Sequence, residues 1–526
     1  MIGSKVKKKN TNGGYSMTQF TLPFNYELEP TSSDVTALAG LPLYIELLHG
    51  LGFHRAVDDL VAVRPTQGWT DGEMVQALVL LNIAGGTAVD DIAILENDAG
   101  LHRTIRAFRH YGRTPKEIEA YNKRFRQEQL RAFPSPSSIF RWLEVFHDEE
   151  QELLREEHTA FIPKPKPCLV GLSEINTSLV KAVQHVSPCN TATLDMDATL
   201  IESYKKNITY CYKGFPAFQP VNVVWAEQDL LVYSEFRDGN VPAGYELLRV
   251  LKESVKSLPT SVHTIYLRSD SAGYQWDLLK YCAEKRGKNR AIKFSVSVDV
   301  TPAFKEAVSE VSEKDWQPLY KQVAGKKVAT KQQWAEVCYV PNEVATKKHG
   351  PEYRFIAIRE PVHEQLWLEN VEPQQLSFPF PTMEMTTGTH LKRYKITGLV
   401  TNRTLPGNEL ITWHRKRCGT GEKVQGILKN DVAGGQLPTG LFGANACWWA
   451  IVILSYNLNV LMKTLAMDPT WKKKRLKALR FEFISRPGRI IQRAHSFFIR
   501  VHGSLLKIIE PMRMNITQVA PIIYRE

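Results

Sequence analysis

The stretch TATLDMD (191–197) is a short run of β-type residues that ends in two acids. Two further β-rich runs follow it, VNVVWA (221–226) and LLVYSEFR (230–237), and only the polar EQD separates them. A short polar break between two β-rich runs is typical of a hairpin. These residues therefore predict three successive strands, with acids at the end of the first.

The residues after this hairpin alternate between helix and strand patterns. AGYELLRVLKESVKSL (243–258) has helical apolar spacing, and TIYLRSD (264–270) has the pattern of a strand. YQWDLLKYCAEKRG (274–287) and AIKFSVSV (291–298) repeat the pair. The resulting order, β-β-β-α-β-α-β, is that of the ribonuclease-H-like fold, so we predict an α/β protein with such a core.

The rest of the chain is organised around this core. We predict that the core is formed by 185–299 and 393–466, and that a β-rich inserted subdomain, 300–392, interrupts it. A flexible N-terminus (1–34) and a helical domain (35–165) precede the core, and KPKP (164–167) resembles a linker. At 526 residues the chain is long enough for several such domains.

The helical domain contains a candidate DNA-reading unit. GEMVQALVLLNIAGG (72–86) predicts an amphipathic helix that ends on two glycines, and a second helix is predicted near DDIAILEND (90–98). This arrangement suits a plain αα-hairpin, which is the commoner case, as well as a helix-turn-helix.

A further helix start is predicted in PSPSSIFRWLEVF (134–146), where Ser135 can cap the first turn and Pro136 suits its first position. Its apolar stripe predicts a core-facing side. Arg141 lies on the other face and is the candidate there for contact with DNA.

One apolar segment needs separate interpretation. No charged residue occurs between Asp431 and Lys463, and ACWWAIVIL (446–454) is strongly apolar. Glycines, a proline and asparagines interrupt the run, which falls short of the roughly 20 mainly apolar residues of a membrane span. We predict a buried core helix and no membrane partner.

Charge and cysteine content narrow the function classes. The chain has 67 basic and 55 acidic residues, a net charge of +12, which suggests a polyanionic partner such as nucleic acid. The seven cysteines are scattered and form no C-x-x-C pair. This pattern argues against a disulfide framework or a structural zinc site, and it fits a reducing cytoplasm.

The C-terminal tail, 467–526, is basic and is predicted to be helical. Between Trp471 and Arg500 it has ten Lys or Arg and one acid, with aromatic residues interleaved. A solvated amphipathic helix is the ordinary explanation of such a run, whereas a surface that follows DNA phosphates is the functional one. The candidate phosphate contacts are Lys473, Arg489 and Arg493.

Three acids are candidates for a metal-dependent site. Phosphodiester cleavage by two Mg²⁺ ions needs carboxylate ligands that converge on one point. Asp195 and Asp197 share one strand face because they are two residues apart, and Asp270 directly follows an apolar strand. Glu422 lies on a predicted helix after the insertion, with Lys429 two turns further along. Each acid alone is more often a cap, a turn residue or a solvated side chain, so the prediction depends on their combination.

These blocks resemble the DDE transposases of bacterial insertion sequences, specifically the group with a β-rich insertion between the second and third acids. LDMDATLIE (194–202) is similar to the block with the first acid, and LRSDSAGYQWDLLKYC (267–282) to the block with the second. The segment 398–431 is similar to the block with the third acid. The resemblance covers about 35–505.

The third block departs from the family pattern of Tyr, two residues, Arg, three residues, Glu, six residues and Lys. Glu422 and Lys429 fit the spacing. However, Cys418 occupies the Arg position, with Arg417 one place early, and Arg415 occupies the Tyr position.

The resemblance implies a mechanism and partners. Asp197, Asp270 and Glu422 are expected to hold two Mg²⁺ ions, for which Mn²⁺ can substitute, and Asp195 to orient the site or add a ligand. Double-stranded DNA, both transposon ends and target, is the expected partner, with a dimer on DNA in a bacterial cytoplasm at the nucleoid. Lys429, Arg417 and Arg268 are candidate phosphate contacts.

Three alternatives stay open at this point. A catalytically inactive or domesticated copy would bind DNA without cutting it. A sugar-nucleotide transferase could use the Asp195-x-Asp197 pair, although it gives no reason for Glu422 or the basic tail. A plain ribonuclease-H-fold nuclease would differ only in lacking strand transfer.

Overall fold

A computed structural model of the chain describes residues 34–63, 67–156, 159–284, 291–341, 353–362, 380–387, 390–493 and 496–525. The predicted flexible N-terminus therefore lies outside the described residues, apart from Asp34.

The described helices are mostly short. They are α1 (Pro42–Gly50), α2 (Phe53–Leu60), α3 (Asp71–Ala84), α4 (Ile92–Asn97), α5 (Ala99–Phe108), α6 (Pro115–Asn122), α7 (Pro136–Glu144), α8 (Glu149–Glu152), α9 (Pro167–Val186), α10 (Leu247–Lys256), α11 (Trp276–Ala283), α12 (Pro302–Ser309), α13 (Gly407–Asn430), α14 (Phe442–Ala466), α15 (Leu476–Leu479) and α16 (Gly503–Arg525). Four of them, α9, α13, α14 and α16, have 20 or more residues.

Most of the described strands lie between the long helices α9 and α13. The strands are β1 (Val35–Thr36), β2 (Thr191–Ala198), β3 (Ile201–Glu202), β4 (Ala217–Phe218), β5 (Val221–Trp225), β6 (Leu230–Glu235), β7 (Thr264–Ser269), β8 (Lys293–Val298), β9 (Gln317–Val323), β10 (Lys326–Val337), β11 (Arg354–Pro361), β12 (Thr382–Thr387), β13 (His390–Thr401), β14 (Gly488–Arg493) and β15 (Ser496–Val501).

A large mixed sheet forms the centre of the α/β fold. Its strands lie in the order β6-β5-β2-β7-β8-β13-β11-β10-β9, and β12 pairs with β13 beside this path. β5 is antiparallel to both β2 and β6, whereas β7 is parallel to both β2 and β8. The predicted element order is present as β2, β5, β6, α10, β7, α11 and β8, with the short β3 and β4 added after β2.

The strands of the predicted insertion extend this same sheet. β13 pairs antiparallel with β8, through Gly398 opposite Val298, and on its other side with β11. Because β13 begins at His390, it runs across the predicted boundary at 392/393.

The apolar segment of 446–454 lies in α14, and the prediction of a buried core helix is confirmed. Among the described residues, α14 is long and apolar enough to cross a membrane, and α3 with Val89–Asn97 would qualify only as one span bent by 90°. The apolar window of α14 is 89% buried.

The polar residues of α14 are hydrogen-bonded inside the core. Asn457 accepts from the backbone N–H of Leu231 at 3.0 Å and donates to its carbonyl at 2.7 Å. Asn459 accepts from the Tyr44 hydroxyl at 2.9 Å. These bonds satisfy polar groups that burial would otherwise penalise, and they tie α14 to β6 and α1.

The N-terminal region is helical, but α3 is a core helix rather than an amphipathic one. Thr70 and Glu73 form a capping box at its start, and Gly85 ends it with a φ of 106°. α3 packs against α2 and α14 and has buried residues on every side. In α7, by contrast, the predicted Ser135 cap and apolar stripe are present, and Arg141 is exposed.

The prediction of a helical basic tail is wrong for its middle part. β14 and β15 form a hairpin, and β14 also pairs with β1, where Val35 lies opposite Arg489. The helical parts of the described tail are a 3-10 turn at Pro469–Trp471, α15 with a π-helical turn at Arg480–Ile484 before the hairpin, and α16 after it. The N-terminal and C-terminal regions therefore share one small sheet.

Candidate active site

Two neighbouring parallel strands end side by side in an acid. The β2–β7 pairing places Met196 opposite Ser269, so Asp197 and Asp270 each come one residue later at the same sheet edge. Asp197 lies near the end of β2, and Asp270 follows β7. The structure thus brings the first two predicted acids together.

The Asp270 side chain is held by the turn that it begins. Its Oδ1 accepts from the backbone N–H of Ala272 at 3.2 Å and caps the 3-10 turn Ser271–Gly273. Gly273 is packed close to the Ser269 side chain, because a Cβ built on it would lie 2.5 Å from the Ser269 Oγ. A tight turn with small residues therefore fixes this carboxylate beside Asp197.

Asp197 has two partners on helix α13. The Nη1 of Arg417 lies 3.4 Å from its Oδ2, and the Nε2 of Gln425 donates to the same oxygen at 3.1 Å. Burial raises the pKa of Asp197 from its ordinary 3.8 to about 6, and the Asp270 charge adds to the increase. Arg417 and Gln425 oppose it. A raised carboxyl pKa is typical of a functional site.

The face that α13 turns towards Asp197 repeats every four residues. Arg417, Gly421 and Gln425 form this row, and a Cβ built on Gly421 would lie 3.9 Å from Asp197 Oδ2. Glu422 comes one residue later on the helix and is exposed. The structure therefore brings the helix of the predicted third acid to the site, but its side chain does not join the other two carboxylates.

The side chains at this site offer part of a ligand set for a divalent cation. Asp197 and Asp270 offer the hard oxygen ligands that Mg²⁺ prefers. Within the part of the chain that the structure describes, no three His, Cys, Asp or Glu side chains are grouped so that they could hold a metal ion. Two of the predicted ligands therefore fit such an ion as placed, and Glu422 would have to move inward to complete the set.

Asp195 is engaged in a buried ion pair. Arg268 donates to both Asp195 oxygens, at 2.5 and 2.7 Å, and also to the carbonyl of Trp413 at 2.7 Å. Asp195 is 1% exposed and Arg268 is 2% exposed. In this arrangement Arg268 is buried away from any phosphate, and the ion pair links β2, β7 and α13.

The other basic residues that were predicted to contact DNA differ in how far they are buried. Lys429 is half-buried, and burial lowers its pKa, with the charge of Lys213 as the next cause and Asp197 opposing. Lys429 therefore lies within electrostatic range of both Lys213 and Asp197. The candidate DNA contacts outside the core are all exposed, and they are Arg141, Lys473, Arg489 and Arg493.

His414 and Gln425 are site residues that the sequence interpretation missed. The His414 ring lies 3.2 Å from the Ser295 carbonyl through Nδ1 and 3.2 Å from the Ser297 hydroxyl through Nε2, so it fastens α13 to β8. Gln425 follows Arg417 by eight residues, and that spacing is the signal from which it could have been found.

All seven cysteines are free. Cys418, which occupies the expected Arg position, is exposed, whereas Arg417 points to Asp197.

Comparison with known proteins gave one family. Residues 25–506 match the family model described as transposase DDE domain, group 1. Among solved structures, the chain is similar to one titled as the cryo-EM structure of a piggyBac transposase synaptic complex with hairpin DNA. The sequence identity is 10% and the TM-score 0.40, over 93% of this chain and 81% of the other. No match was found among curated proteins.

Proposed function

The chain belongs to the DDE transposase family, and from that premise we propose that it cuts DNA at the terminal inverted repeats of its own element and joins the ends to target DNA. The observation that carries this proposal is the pairing of Asp197 with Asp270 at the ends of adjacent parallel strands. An origin in a bacterial insertion sequence is part of the same proposal.

The core of the enzyme is, on this proposal, ribonuclease-H-like. Its support is the strand order β6-β5-β2-β7-β8 and the directions of these strands, with α10 and α11 in the two crossovers. On the same proposal, β9 to β12 belong to the insertion between the second and third acids (300–392), and β13 leads from it into the second part of the core.

The proposed ligands of two Mg²⁺ ions are Asp197, Asp270 and Glu422. Bound ions of this kind polarise the phosphoryl oxygens and lower the pKa of a bound water. The chain's own contribution is positional. The Ala272 turn orients Asp270, and partial burial between β2 and α13 limits the access of bulk water to Asp197.

Arg417 and Lys429 are proposed to hold the scissile phosphate. Arg417 contacts Asp197, and Lys429 lies within electrostatic range of it. In the first reaction water breaks one P–O bond and leaves a 3′-hydroxyl. In the second, that hydroxyl displaces an alcohol in a target strand, so one phosphodiester bond forms as another breaks.

The proposed partner is double-stranded DNA, contacted by the N-terminal helices and the β14–β15 hairpin. Arg489 and Arg493 lie on β14, and both are exposed. Because two transposon ends must be brought together, we propose a dimer on DNA.

An in vitro cleavage assay tests this function. The substrate is linear DNA with the flanking inverted repeats, incubated with Mg²⁺ or Mn²⁺ and with wild type or Asp270→Asn. The amide keeps an acceptor for the Ala272 N–H, so the turn persists while a charged ligand is lost. Asp277→Asn, an exposed acid on α11, is the matched control.

Metal-dependent cutting at the repeat ends by wild type and by the control, and none by Asp270→Asn, is the expected result. Equal cutting by all three proteins would overturn the assignment of Asp270.

One observation favours a second candidate, a DNA-binding protein without cleavage activity. Glu422 is exposed and Arg417 is in contact with Asp197, so the three acids are not grouped. Salt-sensitive binding to the inverted repeats with no cutting under any metal would select this candidate.

A further inference from the structure

The loop between β3 and β4 carries three exposed tyrosines. Tyr204 is 76% exposed, Tyr210 67% and Tyr212 76%. Lys205, Lys206 and Lys213 lie between and beside them and are exposed, and the segment 203–216 contains no acid. We call this segment the Tyr–Lys loop.

The Tyr–Lys loop is held by its own backbone, so its rings are presented on an ordered support. The Cys211 N–H donates to the Phe215 carbonyl at 2.9 Å, and the Gly214 N–H to the Cys211 carbonyl at 2.9 Å. The Ala217 N–H donates to the Thr209 carbonyl at 3.1 Å. The buried side chain of Cys211 anchors the inner side of the loop.

A second contact sets the loop against the core. Gly440, just before α14, packs on the Lys206 backbone so closely that a Cβ there would lie 2.6 Å from the Lys206 carbonyl. Tyr204 donates to the carboxylate of Glu202 on β3, which fixes the ring near the base of the loop. The three exposed tyrosines are therefore carried by a segment that packs against the rest of the protein.

The base of the loop continues the strand pair that carries Asp197. Asp197 lies opposite Asn222 in the β2–β5 pairing, the Thr199 N–H donates to the Pro220 carbonyl at 3.0 Å, and the Ser203 N–H donates to the Pro216 carbonyl at 3.1 Å. In addition, the charge of Lys213 lowers the pKa of Lys429. Lysines beside the acid pair can neutralise phosphates of the strand that leads to it.

Exposed rings among lysines fit one class of nucleic acid. A ring can stack only on a base whose face is free, and the base faces of an intact duplex are covered by their neighbours. We propose that the Tyr–Lys loop binds unpaired nucleotides of the DNA strand next to the scissile phosphate, with Tyr204, Tyr210 and Tyr212 stacking on bases. This inference rests on the proposed function, because it assumes that DNA reaches the acid pair.

The test compares two DNAs of one sequence, a blunt duplex and the same duplex with a three-nucleotide unpaired end that contains 2-aminopurine. Full-length wild type is expected to bind the unpaired end about tenfold more tightly, within the range of a stacked base. It is also expected to change the 2-aminopurine fluorescence. The triple variant Tyr204→Leu, Tyr210→Leu and Tyr212→Leu is expected to bind both DNAs equally, with the duplex affinity unchanged.

Two control variants separate stacking from charge and from folding. Tyr320→Leu removes an exposed tyrosine on β9, at the opposite end of the large sheet, and is expected to keep the preference. Lys205→Gln, Lys206→Gln and Lys213→Gln together are expected to weaken binding of both DNAs and to lower the salt slope by about 2 to 3. Equal melting temperatures establish that the exposed substitutions leave folding intact.

The possible results distinguish a failure of this inference from a failure of the proposed function. Wild type that cuts duplex ends but binds both DNAs equally overturns the inference alone, as does a preference that survives the triple tyrosine change. Wild type that binds neither DNA overturns the proposed function as well. A triple variant that keeps the preference but changes its mass in sedimentation assigns the loop to contact with a second copy instead.

Discussion

Arg417 on α13 lies 3.4 Å from the Oδ2 of Asp197 on β2, so the first acid of the site already has a cationic partner within the protein. Both side chains are mostly buried, at 14% and 23% exposed. A guanidinium at this position occupies the electrostatic role that a divalent cation would have. Arg417 therefore both stabilises the charged form of Asp197 and competes with any metal ion for it.

Arg417→Ala is expected to tighten Mn²⁺ binding to the DNA-free protein, because it removes the competing charge. A unit pair at about 4 Å is worth about 4 kcal/mol at an effective dielectric of about 20, so a tenfold gain is a conservative expectation. Mn²⁺ electron paramagnetic resonance titration measures it, with Arg415→Ala as the matched control from the same helix. Unchanged Mn²⁺ affinity in Arg417→Ala would mean that the ion pair does not oppose metal binding.

Glu422→Gln is expected to abolish metal-dependent cutting and to leave thermal stability within about 0.5 kcal/mol of wild type. The side chain is exposed, and exposed substitutions away from special features have small effects on stability. The measurement pairs the cleavage assay with a melting curve, and Lys416→Gln on the same helix serves as the exposed control. Normal cutting by Glu422→Gln would exclude it as the third acid.

Asp197→Asn is expected to stabilise the metal-free protein above pH 6 while it abolishes cutting. Since the folded-state pKa is raised from 3.8 to about 6, the folded protein prefers the protonated form, and ionisation costs stability above pH 6. The gain is at most roughly 3 kcal/mol, and it shrinks as pH falls from 6 towards 3.8. Denaturant unfolding at pH 7.5 and pH 5 measures it. A variant less stable than wild type at pH 7.5 would contradict the sign.

The acid pair could be predicted because its signal is local. Each acid ends a short apolar strand, and β2 and β7 are neighbours in the sheet order that the predicted succession of elements implies. The Ser135 cap of α7 was predictable for the same reason, since a cap depends on four consecutive residues.

The orientation of α13 and the structure of the tail were not predictable in this way. Helical spacing places Glu422 and Lys429 on a similar side of α13, but packing decides which side meets the sheet. The row of Arg417, Gly421 and Gln425 faces Asp197 instead. Likewise β14 forms by pairing with β15 and with β1, more than 450 residues earlier in the chain. Pairing between such distant segments is not visible in the local pattern of a basic, aromatic stretch.

Arg268→Met is expected to destabilise the protein strongly, by about 3–5 kcal/mol, because it leaves the buried Asp195 carboxylate without its partner. The double variant with Asp195→Leu is expected to recover most of that loss, since two apolar side chains need no pairing. Denaturant unfolding of the two single variants and the double variant measures the coupling. If Arg268 instead contacts DNA, Arg268→Met would lower the salt slope of DNA binding by about 1, whereas we expect no change.

His414 gives the fold a sensitivity to acid. Burial lowers its pKa from 6.5 to about 3, so the folded protein keeps the ring neutral, and the unfolded chain binds a proton below pH 6.5. Its contribution to stability is therefore complete above pH 6.5 and is lost as pH falls towards 3, by about 1.4 kcal/mol per pH unit.

The raised pKa values of Asp197 and Asp238 act in the opposite direction. The effect of His414 is therefore measured as the difference in unfolding free energy between wild type and a His414 variant. His414→Asn, whose amide can still donate to the Ser295 carbonyl, is expected to be less stable than wild type at pH 7.5 and to approach it as pH falls to 5. Urea unfolding of both proteins across this range measures the difference, and a stability gap that stays constant with pH would show that His414 titrates alike in the folded and unfolded states.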